Sequence, residues 1–277
     1  MAVALVTCST QGVGRAIALR LADDGFDVAV NDLTSRATVL EALVCEITLK
    51  GRRSCAVLGD ASSEADVQKM ISSTVEELGS LDVMVANAGV CVTKSILSTS
   101  SEEWNRIAAI NSHDTFLCHK YAAKQMQDQG RGLRIIGASS IAGKRGPPIS
   151  AACRSSKLSA HDIGGRDARL TCALSSSQAP KFSRYGVTIN AYAPAPTDTE
   201  MRKKVVGIGK TLTGDWKRAH EKDRSGAPAD IASMVSYLAS KEAHFAVTGH
   251  LNVMYHCYET IVFLSFQMSV NGRSWCK

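Results

Sequence analysis

Short apolar runs rich in β-branched residues alternate with segments of helical periodicity across the first two thirds of this chain. "VALVT" (3–7), "DVAVND" (27–32), "SCAVLGD" (54–60), "LDVMVANAG" (81–89) and "LRIIGASS" (133–140) read as strands, and "GVTINAYAP" (186–194) as a sixth. Between them, Val13, Ile17 and Leu21 recur at helical spacing over 13–23. "ATVLEALVCEIT" (37–48), "EADVQKMISSTVEEL" (64–78) and "SEEWNRIAAINSHDTFLCHKYAAKQM" (101–126) carry the same pattern, and Pro228 opens a further helix over 228–240. Strands that are apolar throughout are buried on both faces. Their alternation with helices predicts an α/β fold, one parallel sheet with helices on each side.

Two regions break this rhythm. The 29 residues from Lys157 to Tyr185 exceed one helix and a loop, and their middle, "LTCALSSSQAP", has weak helical logic. After Gly249, "HLNVMYHCYETIVFLSFQ" has no clean single-element reading. Irregular insertions are therefore expected near 166–180 and 251–267, and both are also readable as translated intron sequence. No Pro/Gly/Ser-rich linker and no repeat divides the chain, so residues 1–277 are expected to form one domain.

Composition narrows the function classes. With 45% hydrophobic and 21% charged residues, the chain can bury a full core. The net charge of +6 is scattered, and the short clusters Arg52-Arg53 and Arg202-Lys203-Lys204 lack interleaved aromatics, which argues against nucleic-acid binding. Nine cysteines, an odd number without a CxxC pair, read as free thiols in a reducing compartment. Seven histidines show no ligand spacing, so no metal site is expected. "AVALV" is too short for a signal peptide, and "TIVFLSF" too short to span a bilayer. A cytoplasmic protein without membrane or nucleic-acid partners is expected.

The first strand leads into "TCSTQGVGRAIAL". Gly12 and Gly14 let the backbone turn tightly and approach a pyrophosphate at the following helix N-terminus, although a plain strand–helix turn uses the same residues. The second strand ends in Asp32, about 20 residues on, where a carboxylate accepts from an adenosine ribose and repels a 2′-phosphate. A helix cap or turn is the alternative role for Asp32.

Taken together, these residues resemble the short-chain dehydrogenase/reductase family over most of the chain. "TCSTQGVG", with Gly12, Val13 and Gly14, is similar to its TGxxxGxG turn; Asp60 stands where an aspartate contacts adenine; and "NAG" (Asn87, Ala88, Gly89) matches its fourth-strand motif. Asn111 stands for its helix asparagine, "GASSIAG" for its catalytic-serine strand, Lys157 for the lysine of YxxxK, and Pro194 to Thr199, including Thr197, for its nicotinamide loop. Within the family, "VALVTCSTQGVGRAIALRLADDGFDVAVND" and "MVSYLAS" look most like acetoin/diacetyl reductases and butanediol dehydrogenases. The resemblance implies a single Rossmann-type doubly wound sheet and NAD as cofactor, with NADP as the alternative. It also implies hydride exchange with a small ketone, diketone or secondary alcohol, and a homo-oligomer that the extra sequence after Lys157 puts in question.

The implied machinery is Ser140, with Ser139 as its alternative, to orient the substrate oxygen, Lys157 to hold the ribose, and Asn111 to hold a relay water. The family's proton-exchanging tyrosine is absent. Its place, four residues before Lys157 and thirteen after Ser140, is taken by Cys153. A sulfur there falls short of a phenol oxygen's reach, and loss of a positioned acid costs about 10²–10⁴-fold in rate. Cys8 replaces the first glycine of the phosphate turn, and Ala195 the glycine of the usual "PG". These departures leave an alternative, a catalytically degraded relative that keeps the nucleotide-binding fold. A third reading makes Cys153, close to cationic Lys157, a reactive thiol.

Overall fold

The computed structural model describes residues 1–130, 134–140, 151–162, 186–212, 225–245 and 248–253. Within them lie the strands β1 (Val3–Val6), β2 (Asp27–Asp32), β3 (Ser54–Leu58), β4 (Val83–Ala86), β5 (Arg134–Ala138), β6 (Thr188–Pro194) and β7 (Thr248–Val253). All pair in parallel, in the order β3-β2-β1-β4-β5-β6-β7. The chain winds outward from β1 to β3, then returns to the centre and winds the other way from β4. This is a doubly wound α/β sheet whose strand order reverses between β1 and β4.

The helices are α1 (Gly12–Asp23), α2 (Ala37–Leu49), α3 (Glu64–Leu78), α4 (Ser101–Ala108), α5 (Asp114–Gln129), α6 (Ala151–Asp162), α7 (Glu200–Leu212) and α8 (Pro228–Ala239). Strand side chains alternate between two cores. Ala4, Val6, Val28, Val30, Val83, Val85 and Ile136 meet α1, α2 and α8 through Ile17, Leu21, Leu40, Leu43, Val235 and Leu238. Val3, Leu5, Ala29, Met84 and Ile135 meet α3 and α5 through Val67, Met70, Leu117 and Met126. Each fully buried valine, leucine, isoleucine or methionine among them contributes about 1.5–3 kcal/mol, which explains why β1, β2 and β4 are buried throughout.

Local chemistry sets the helix ends. Ser63 caps α3 by accepting from Asp66 N, and Gly79 at φ 95 ends it. Ser100 and Glu103 form a reciprocal capping box at α4. Pro228 opens α8, where Asp230 accepts from Ala227 N at 2.7 Å.

The structure departs from the sequence expectation in three respects. The long helix expected over 101–126 is divided by a π-helical turn, Ala109–His113, between α4 and α5. The strands expected to run to 60, 89 and 140 stop at Leu58, Ala86 and Ala138, because the residues beyond leave the ladder. Residues 251–253, expected to begin an insertion, continue β7 in register with β6. The remainder of that insertion, the one near 166–180 and Tyr185 lie outside the described residues.

Ile17 is fully buried where α1 meets the sheet. Its replacement by alanine is expected to lower the unfolding free energy by about 2–5 kcal/mol, read as a lower urea midpoint at unchanged slope. Leu97→Ala, at 96% exposure, should stay within about 0.5 kcal/mol of the wild type.

Candidate active site

The sequence-predicted residues gather at the carboxyl ends of β1, β4, β5 and β6, around the point where the strand order reverses. After Val6 the chain enters a turn held by Thr7 N on Val85 O (3.1 Å) and Ser9 N on Asn31 O (2.9 Å). Cys8 takes φ 50 and Gly12 φ 55. Cys8 thus adopts the left-handed backbone that a glycine would adopt freely, at a cost of about 1–2 kcal/mol for a residue with a Cβ. The tightest approach is at Gly14, where a Cβ would stand 2.2 Å from the Cys8 carbonyl oxygen and 2.5 Å from Asn87 Nδ2. A Cβ on Gly12 would meet Thr199 Cγ2 at 3.3 Å, so the glycine turn and the loop after β6 touch. Val13 is half-buried against the α1-side core.

The N-terminus of α1 differs from those of α3 and α4. Its N-cap, Gln11, makes no side-chain capping bond. An end of this kind, reached by a turn with no bulk at Gly12 and Gly14, suits an anionic group such as a phosphate.

Asp32 ends β2 beside this turn. Its Oδ2 accepts from Thr10 N (3.2 Å) and Thr10 Oγ1 (2.6 Å), and its Oδ1 from Leu33 N (2.9 Å). Asp60 lies at the same end of the sheet, exposed, with Oδ1 accepting from Ser62 N and Oγ. Asn87 Nδ2 donates to Thr7 O (3.0 Å) and Cys8 O (3.3 Å), its Oδ1 accepts from Tyr192 (2.8 Å), and its N–H meets Thr7 Oγ1 (2.9 Å). The Ala88 N–H also reaches Thr7 Oγ1. Thr7 and Tyr192 were not singled out in the sequence; each looks like an ordinary strand residue until the neighbouring strand is in place. Tyr192 is fully buried, which pushes its phenol well above its ordinary pKa, and its hydroxyl proton is committed to Asn87 Oδ1.

Lys157, on α6, is buried, and its Nζ donates to Ala138 O (3.0 Å) and Ala88 O (3.3 Å). Burial lowers its pKa, while the Asp114 carboxyl draws it back up. A Cβ on Gly89 would lie 3.2 Å from Lys157 Nζ and 3.4 Å from Asn111 Oδ1, so a side chain here would press on the lysine. Asn111 sits in the π turn, fully buried, with Oδ1 accepting from Val90 N (2.8 Å) and Nδ2 donating to Val90 O and Ser156 Oγ (both 2.9 Å). Its side chain is committed to clamping loop 88–92 against α6. Ser139 Oγ donates to Lys157 O (3.1 Å), and the neighbouring Ser140 is half-buried. Pro194 ends β6; Thr197 Oγ1 turns back onto Ala195 O (2.9 Å), and Thr199 Oγ1 accepts from Arg202 N (3.4 Å) to start α7.

Cys153 is 3% exposed in the first turn of α6. Its Sγ accepts from Val92 N (3.0 Å) and, as a thiol, donates to Val92 O (3.4 Å). The Cys91 thiol donates to the same sulfur and is the chief reason that the Cys153 pKa falls to about 7; burial opposes this, and the Val92 N–H and Lys157 charge assist it.

Two further buried groups lie behind these residues. Asp114 is fully buried, with Oδ1 on Thr115 and no partner for Oδ2. Burial pushes its carboxyl up to about 7 against the pull of Lys157. His119, with neither ring nitrogen bonded, is pushed down by burial to about 4. Neither was legible in the sequence, where both read as polar positions on a helix. Among the described residues no group of three or more His, Cys, Asp or Glu is placed to hold a metal, and no helix is long and apolar enough to cross a membrane.

A family model described as Enoyl-(Acyl carrier protein) reductase matches residues 8–254. A short-chain dehydrogenase/reductase of Armillaria gallica is 44% identical over 255 residues, covering 91% of this chain and 94% of the relative. The L-2,3-butanediol dehydrogenase of Corynebacterium glutamicum is 32% identical over 257 residues, covering 90% and 95%. Among solved structures, the acetoin dehydrogenase of Salmonella typhimurium superposes with a TM-score of 0.74 at 26% identity, over 91% of this chain and 95% of that one.

Asp114 gives a pH test. Its folded-state pKa of about 7 lies above the ordinary 3.8, so the folded state binds the extra proton and its stability falls as pH rises between those values. His119, lowered from 6.5 to about 4, works in the opposite sense over part of that window. Relative to wild type, Asp114→Asn is therefore expected to gain stability steadily from pH 3.8 to about 7 and then hold level. Urea midpoints across that range check it; a difference independent of pH would show that the buried carboxyl titrates normally.

Proposed function

Because this chain belongs to the short-chain dehydrogenase/reductase family, we propose that it exchanges hydride between NAD(H) and a small ketone, diketone or secondary alcohol of the acetoin/diacetyl type. The observation that carries this reading is the convergence on one strand-order reversal of the uncapped α1 N-terminus, the glycine turn, Asp32 and buried Lys157. A nicotinamide cofactor supplies the hydride. The uncapped N–H groups at Gly12 to Gly14 would hold its pyrophosphate, and Asp32, whose Oδ1 accepts only from Leu33 N among the described residues, would accept from the adenosine ribose through that oxygen. That carboxylate favours NAD over NADP. Asp60 would lie along the adenine, Asn87 to Gly89 along the cofactor's edge, and Pro194, Thr197 and Thr199 along the nicotinamide. The substrate preference draws on the names of the butanediol and acetoin dehydrogenases.

The chain's own residues then have one proton to move. Ser140 orients the substrate oxygen. Cys153 gives the proton in reduction and takes it in oxidation through one water that makes up the shorter reach of its sulfur, with its thiol poised at about 7 where such an exchanger works best. Lys157 supplies positive charge beside it. The alternative of a catalytically degraded relative gains no support from the matched dehydrogenases and reductases. A homo-oligomer in the cytoplasm belongs to the same proposal.

Purified protein should consume NADH with diacetyl or acetoin, with a lower KM for NADH than for NADPH. For reduction, kcat/KM should fall as pH rises through about 7, and for oxidation it should rise to a plateau there. Cys153→Ser should remove both limbs and cost about 10²-fold or more in rate. Absence of turnover together with absence of NADH binding would overturn the reading; a limb that persists in the serine variant would remove Cys153 from it.

A further inference from the structure

Cys153 has a neighbour that the proposed reaction does not use. Cys91 lies in the stretch after β4 that carries no helix or strand, half-buried, with its thiol donating to Cys153 Sγ. The adjoining Val92 fixes this contact, since its N–H and carbonyl both meet the same sulfur, at 3.0 and 3.4 Å. The two cysteines share a small apolar cluster with Val90, Val92, Ile107 and Ala152, separate from the two main cores.

The other described thiols lack this arrangement. Burial raises Cys8 to about 12 and Cys55 to about 11, and Cys118 is buried against the α3/α5 face. Cys45 is exposed. Cys153 alone is held toward its thiolate, by a thiol donor, a backbone N–H and a lysine ammonium one helical turn away. A thiolate beside a second thiol is the arrangement that closes to a disulfide once one sulfur is oxidised.

We propose that Cys91 and Cys153 form a reversible redox pair that is closed to a disulfide by hydroperoxides, with Cys153 as the attacking sulfur and Cys91 as the resolving one. At 3% exposure Cys153 admits only a small oxidant, which selects a hydroperoxide over a bulky disulfide. In the first step the Cys153 thiolate attacks the terminal peroxide oxygen. The O–O bond breaks, the alcohol or water leaves with one proton, and Cys153 becomes a sulfenic acid. In the second step the Cys91 sulfur attacks Cys153 Sγ, the S–OH bond breaks, and hydroxide departs as water with the Cys91 proton. Two electrons pass from the two thiols to the peroxide, and a dithiol reductant reverses the exchange. Closure draws the sulfurs from hydrogen-bond contact to about 2.05 Å. Resting on the reading of Cys153 as the proton exchanger, closure also switches off turnover, but the thiol chemistry is read independently of activity.

The test is a thiol map of the native full-length chain. Wild-type protein is treated with hydrogen peroxide at one equivalent, blocked with iodoacetamide and digested without reductant. Two thiols per chain should be lost together, with a peptide containing Cys91 linked to one containing Cys153, and dithiothreitol should restore both. In Cys91→Ser, dimedone should capture a sulfenic acid on Cys153. In Cys153→Ser, Cys91 should remain alkylatable. Accumulation of a wild-type Cys153 sulfenic acid beside a free Cys91 would overturn the proposal. So would oxidation of exposed Cys45 before either member of the pair. If a serine variant fails to fold, the wild-type map decides alone. Absence of cofactor turnover in the fully reduced protein, with an intact disulfide response, would instead count against the oxidoreductase reading.

Discussion

The amide of Asn87 holds together the seam on which the site depends. A parallel sheet that reverses its strand order opens a crevice between β1 and β4, because the loops leaving those strands diverge to opposite faces. Past the last ladder bonds, the Thr7 hydroxyl meets the Asn87 and Ala88 N–H groups, and a side-chain link must carry the tie onward to β6. Asn87 supplies that link, donating to Thr7 and Cys8 on one side and accepting from Tyr192 of β6 on the other. One side chain thereby spans β1, β4 and β6. The close approach of Asn87 to Gly14 follows from the same clamp, which fixes where α1 begins and where its N-terminus points.

A second clamp sets the other wall. The π turn at Ala109–His113 places Asn111 where its amide bonds both polar groups of the Val90 backbone and Ser156 on α6. Ser112 adds a bond to Ser156 O at 2.7 Å. Loop 88–92 and the first turns of α6 are therefore tied to one irregular helix turn, which keeps Lys157 against the ends of β4 and β5. π turns of this kind are rare and tend to occur at functional sites.

Much of this architecture was legible in the residues. β2 and α3 fall on their expected bounds because an apolar run ending in Asn-Asp, and a Ser cap followed by a Gly stop, each fix both ends locally. The glycine turn was legible for the same reason, since Gly12 needs positive φ and Gly14 needs closeness. The π turn was not, because its cause is tertiary: the bonds from Asn111 to Val90 and Ser156 span 21 and 45 residues. The pairing of Cys91 with Cys153 was invisible for a similar reason, as it depends on how the loop after β4 meets α6. The ionisation of Asp114 and His119 depends on burial of α5 against the middle of the sheet, which no local pattern reports.

Asp32 has a consequence for how a protein of this kind can change. Thr10, within the glycine turn, gives both its N–H and its hydroxyl to the Asp32 carboxylate. The group suited to discriminate between two nucleotides is therefore also a strut of the loop suited to hold their shared phosphates. A drift toward a phosphorylated ribose cannot proceed by losing that carboxylate alone, because the same step would orphan two donors and slacken the turn. Selectivity and grip are mechanically joined here, so any lineage that exchanges one would have to rebuild the other at the same time.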